Sequence, residues 1–143
     1  NVHAVQEYEI ESCYYQNIKN GKNIMLEDGR LIKNDELTFD AVPAKSYAFC
    51  SDTSYHEGII PIIENTDILY HEATFLQHEE SLATKTMHST AKQAAMIALK
   101  SNVKQLILGH YSTRYESIEV FKQEAETIFP EVLLADDGRT FEF

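Results

Sequence analysis

The sequence predicts an α/β fold built in layers, and three features of its 143 residues carry that expectation. Short apolar runs, each the length of a buried strand, recur from residue 47 onward and end in polar groups. Stretches with apolar residues at helical spacing lie between them. Gly, Pro and Asn/Asp punctuation separates the two kinds of segment. Strand, helix or loop, strand, helix, strand, helix, strand is the order of a layered α/β architecture.

Taken in order, residues 1–17 are mixed, and Val2, Ala4, Val5, Tyr8 and Ile10 suggest one strand. Asn20-Gly21 and Asp28-Gly29 are turn signals, and the apolar pairs flanking the second predict a small hairpin within 17–32. After Pro43, SYAFCSDT reads as an aromatic strand ending at Asp52. Pro61, in EGIIPIIENT, fits only a helix's first turn or a loop. DILYHEATF (67–75) is a second strand, through Ile68, Leu69 and Tyr70, and LQHEESLATKTM a charged loop. In HSTAKQAAMIALKSN, Ala91, Ala94, Ala95, Ala98 and Leu99 mark one face of a helix that Ser89 would cap. A strand over 104–109 delivers His110 at its end. A helix near 116–129 follows, with Ile118, Phe121, Ala125 and Ile128 on one face and Pro130 as its stop. Val132, Leu133 and Leu134 form the last strand, and Asp137-Gly138 turns the chain.

The length is that of one domain, enough to bury a core. A net charge of −11 argues against a nonspecific nucleic-acid coat protein, whose affinity comes from Lys and Arg on phosphates. It leaves room for an enzyme that grips nucleic acid locally. No apolar run reaches the roughly 20 residues of a membrane helix, and NVHAVQEYEI has neither the basic nor the apolar region of a signal peptide. Cys13 and Cys50 form no framework, which fits a reducing compartment and a cytoplasmic setting and excludes a zinc ribbon. The chain lacks an initiator Met and reads as a piece of something longer.

The candidate chemistry sits at element ends: Asp52, then His71-Glu72, then His110, with His88 opening a helix. In open α/β sheets the carboxyl ends of strands are where sites are built. Asp52 and His110 suit a divalent ion such as zinc or manganese, and an aspartate can bridge two ions. Arg114 offers a planar fork for phosphate. Plainer readings exist for each. Asp52 could cap a turn, His71 and Glu72 could be a surface pair, His88 an ordinary helix-start residue and His110 a hydrogen-bonded strand end. His3, His56 and His78 have no assigned role. The plainer readings leave unexplained why four such groups all fall at element ends.

SYAFCSDT, ILYHEATF, the HSTA of 88–91 and LILGHYSTRY, in this order and spacing, closely resemble the ribonuclease Z family. These are tRNA 3′-processing endonucleases of the metallo-β-lactamase superfamily. The resemblance covers the whole chain, is strongest over 43–115, and extends to LLADDGRTFEF at the end. It implies the C-terminal half of an αββα sandwich and a site with two metal ions, zinc or another divalent ion. Asp52 would bridge the ions and His110 complete one of them. Glu72 and His88 would stand beside the scissile phosphate, His88 stabilising charge or protonating the leaving oxygen and Glu72 orienting it. Ser112 and Arg114 would hold phosphate or the tRNA end, and Lys45 matches a basic residue in a proline-containing loop. Precursor tRNA is the implied substrate and a homodimer the implied assembly.

The chain also departs from the family. Its signature His-x-His metal motif occurs nowhere here, and Asp52 and His110 alone cannot close a site that wants about four ligands. One partial domain over 1–143 is the expectation, with the tRNA-clamping arm short or absent near 11–20. Two other readings remain: another metallo-β-lactamase-fold phosphodiesterase or sulfatase, or a non-catalytic half-domain that buries its sheet edge against a partner chain.

Overall fold

A computed structural model describes residues 1–142 and divides the chain into two compact units, Asn1–Pro43 and the remainder from Ala44. In the first unit the segment expected to be a strand is a helix, α1 (Val2–Glu7). Asn1 caps it, its Oδ1 accepting the Ala4 N–H at 3.3 Å, and Ala4, Val5 and Tyr8 then fall on one helical face over the small core. The apolar residues alone suggest a strand, but the Asn1 cap and the 4-5-8 spacing favour a turn of helix. A short helix α2 (Tyr15–Lys19) ends at Gly21, whose φ of +77° only glycine adopts freely. The hairpin is present, β1 (Ile24–Met25) pairing antiparallel with β2 (Leu31–Ile32) around Asp28-Gly29. A last turn, α3 (Asn34–Leu37), completes a core of Ile10, Ile18, Ile24, Ile32 and Leu37.

The second unit carries the four-stranded parallel sheet: β3 (Tyr47–Cys50), β4 (Ile68–Glu72), β5 (Gln105–Gly109) and β6 (Val132–Leu134), side by side in that order. Pro61 sits in the first turn of α4 (Ile60–Ile63), where its missing N–H costs nothing. The segment read as a charged loop contains α5 (Glu80–Thr86). Its Thr84 and Thr86 hydroxyls donate back to the Glu80 and Leu82 carbonyls, and it ends where Met87 turns left-handed. Next come α6 (Ala91–Lys100) and α7 (Glu119–Glu126), packed on each other and, respectively, on β4–β5 and β6.

Alternation along the strands sets the layers. Leu69, Leu106, Leu108, Val132 and Leu134 join Ala91, Ala94, Ala95, Ala98, Phe121 and Ala125 in one apolar core. Leu99, placed on that face by the sequence reading, is 55% exposed, and Ile97 is buried instead. The other residue set, Tyr47, Phe49, Ile68, Tyr70 and Ile107, lines an open apolar depression with Ala135 and Phe141. There Phe49 stacks on Tyr70 with centroids 4.6 Å apart and stays 63% exposed. The second unit therefore supplies one sheet and its helical layer, and the sheet's parallel strands bring Cys50, Glu72, Gly109 and Leu134 to one edge.

Candidate metal centre

Asp52, His88 and His110 converge at that edge. One donor atom from each, a carboxylate oxygen and two imidazole nitrogens, lies within 4.8 Å of the others. His110 Nε2 is 3.2 Å from Asp52 Oδ1, and the His88 and His110 rings lie 5.2 Å apart. Two strand ends and one helix entrance create this arrangement. Asp52 follows β3 with φ of +49°, and His110 follows β5 with φ of +62°. Left-handed backbone at two non-glycine residues is strain of the kind that accumulates at functional sites. A mixed oxygen and nitrogen set suits a borderline divalent cation, and three donors leave coordination positions for further ligands. The residues fit such an ion.

Behind the cluster lies Glu72, fully buried. Its Oε1 accepts from His88 Nδ1 at 2.8 Å and from the Thr53 N–H at 2.7 Å. Its Oε2 accepts from the Thr74 hydroxyl at 2.7 Å and from the Ser89 and Thr74 N–H groups at 3.1 and 3.3 Å. Burial alone raises a carboxyl's pKa, but here the bonds from His88, Ser89, Thr74 and Thr53 outweigh it, and Glu72 is held below its ordinary value. It is an ionised acceptor that fixes the His88 ring and ties β4 to the entrance of α6.

The reading of His71 and Glu72 as a surface pair fails, because both are fully buried. His71 Nδ1 donates to the Glu72 carbonyl at 2.8 Å, and burial pushes its pKa down. Ser89 is not the cap of α6. Thr90 is, accepting the Gln93 N–H while the Gln93 side chain accepts the Thr90 N–H. Ser89 is committed to Glu72 and, through its hydroxyl, to the Thr53 carbonyl at 2.7 Å. The sequence reading does not place Thr53, Thr74 and Ser89 in the site, although Thr53 and Ser89 adjoin Asp52 and His88 and Thr74 lies two residues from Glu72.

Ser112 lies just past His110, its N–H on the Thr74 carbonyl. The Arg114 guanidinium lies over the Phe75 ring at 5.9 Å and 3.7 Å from Glu79. Lys45 stands before β3, at the end of the strand opposite Asp52. The structure thus gathers Asp52, Glu72, His88 and His110 and does not bring Lys45 to them.

No family model matches the chain. It is 47% identical over 140 residues to a ribonuclease Z of Parabacteroides distasonis, an alignment covering 95% of this chain and 46% of that protein. Among solved structures, the metallo-β-lactamase fold protein YhfI from Bacillus subtilis superposes with a TM-score of 0.65 at 28% identity, covering 69% of this chain and 40% of that one. A long form RNase Z from yeast gives 0.56 at 29% identity, covering 64% of this chain and 12% of that one. The resemblance drawn from the HEAT, HST and GHYS motifs is borne out, and so is the fold class. The chain spans a little under half the length of that curated relative.

Proposed function

We propose that this chain contributes part of the site of a ribonuclease Z-type endoribonuclease that removes the 3′ trailer from precursor tRNA. The observation that carries it is the convergence of Asp52, His88 and His110 in front of buried Glu72, in a chain 47% identical to a ribonuclease Z. A pair of divalent cations, zinc by the donor set, would supply activation of the attacking water and neutralisation of charge on the phosphate. Asp52 would hold both ions and His110 one, the remaining ligands coming from outside this chain. His88, fixed through Nδ1 by Glu72, presents Nε2 toward the phosphodiester and carries the proton delivered to the departing tRNA 3′-oxygen. Ser112 and Arg114 bind the neighbouring phosphate or the tRNA end, and Lys45 contacts tRNA farther along. A cytoplasmic homodimer is the assembly that accompanies this reading. A detachable basic arm and a locally positive groove would reconcile a net charge of −11 with a tRNA partner.

The proximity of His88 to the other two donors favours a second reading, in which His88 is a third ligand. One experiment separates them. In an assembled enzyme containing this chain, His88→Ala should lower kcat for precursor tRNA by about 10²- to 10⁴-fold with metal content unchanged. Asp52→Asn should lose metal and cleavage together. Loss of metal from His88→Ala selects the ligand role, and full cleavage by either variant removes the proposed site.

A further inference from the structure

We infer that Thr74 is a positioning residue that transmits the charge of Glu72 to His110 and fixes which of its ring nitrogens faces the cation. The Thr74 hydroxyl lies 2.7 Å from Glu72 Oε2, 2.9 Å from His110 Nδ1 and 3.0 Å from the His110 carbonyl. It has one hydrogen to give, and three groups that could receive it. Glu72 is ionised and takes the shortest of the three contacts, so the hydrogen goes to Oε2. The hydroxyl oxygen is then an acceptor facing His110 Nδ1, and only an Nδ1–H can meet it. His110 is thereby held in the Nδ1–H tautomer, with the Nε2 lone pair free on the side of Asp52. Glu72 holds His88 in the same way by direct contact. One buried carboxylate therefore sets both rings, one directly and one through a threonine.

The tautomer belongs to the chain itself, and only its consequence rests on the reading of His110 as a metal ligand. Long-range ¹H–¹⁵N spectra of the metal-free 143-residue chain, labelled at histidine and recorded above the ordinary histidine pKa, read the tautomer directly. Wild type should show His110 as Nδ1–H. Thr74→Ser should retain it, and Thr74→Val, close in shape but without the hydroxyl, should move His110 toward Nε2–H. Titration with zinc chloride should show a 10- to 100-fold weaker affinity for Thr74→Val, with Thr74→Ser near wild type. Should Thr74→Val not fold, the wild-type spectrum and Thr74→Ser still decide. An Nε2–H His110 in wild type, an unchanged tautomer in Thr74→Val, or equal measurable zinc affinity across the three proteins overturns the inference. A wild-type Nδ1–H signal that shifts in Thr74→Val, with no zinc bound by any of them, supports the role of Thr74 in setting the tautomer and shows that this chain does not hold the ion without the ligands from outside it.

Discussion

Glu72 shows at the scale of one residue how a site constrains a core. Its carboxylate is removed from water entirely, yet five donors from Thr53, Thr74, His88 and Ser89 meet its two oxygens. Such a group is tolerated because every lone pair is used, and breaking the arrangement leaves donors buried without partners. Glu72→Gln puts an NH₂ where donors converge. It should cost about 3 kcal/mol of unfolding free energy, within the range for disrupting a buried charged network. Urea denaturation followed by circular dichroism checks this, and a loss below about 1 kcal/mol would mean the pocket adapts. Thr74 repeats the lesson on a smaller scale, since its value lies in the one hydrogen it has to give.

Among the elements, the register of β3 on β4 decides where Asp52 ends up. Asp67, just before β4, clamps the start of β3 by accepting from the Ser46 N–H and hydroxyl, both at 2.8 Å, and from Lys104 at 2.6 Å. Lys104, then Ser46, hold its carboxyl well below the usual carboxylate range. A carboxyl held low in the folded state stabilises above its unfolded pKa, about 4, and loses that contribution as pH falls through the folded value. Asp67→Asn should therefore be less stable than wild type at pH 7, with the gap narrowing from about pH 4 downward. Urea midpoints at pH 7 and pH 3 measure it, and an equal gap at both would remove the carboxylate's charge from the account.

At the scale of the whole molecule, ligand supply limits the chemistry. Among the described residues one group of three donors converges, and no helix is long and apolar enough to cross a membrane. Beside it lies a sheet face carrying Tyr47 and Phe49 more than half exposed. The 143-residue chain alone should bind at most one zinc ion and should not cleave precursor tRNA. Inductively coupled plasma mass spectrometry and a gel assay with added zinc test both parts. Robust zinc-dependent cleavage by the purified chain would show that three donors suffice.

Local sequence carries the layered α/β order, the hairpin at Asp28-Gly29, the fit of Pro61 to a helix start, and Asp52, Glu72, His88 and His110 as residues at element ends. These follow from local chemistry, because apolar runs, turn residues and motif spacing are written within a few neighbouring positions. Tertiary structure decided the rest. It buried both His71 and Glu72. It also made Thr53, Thr74 and Ser89 partners of one carboxylate. Thr90, with Gln93 three residues on, carries the capping-box spacing locally, whereas the bond from Ser89 to Glu72, 17 residues away, is a contact the local sequence does not contain. Long-range hydrogen bonds of this kind depend on which strand ends meet, and no local pattern encodes that.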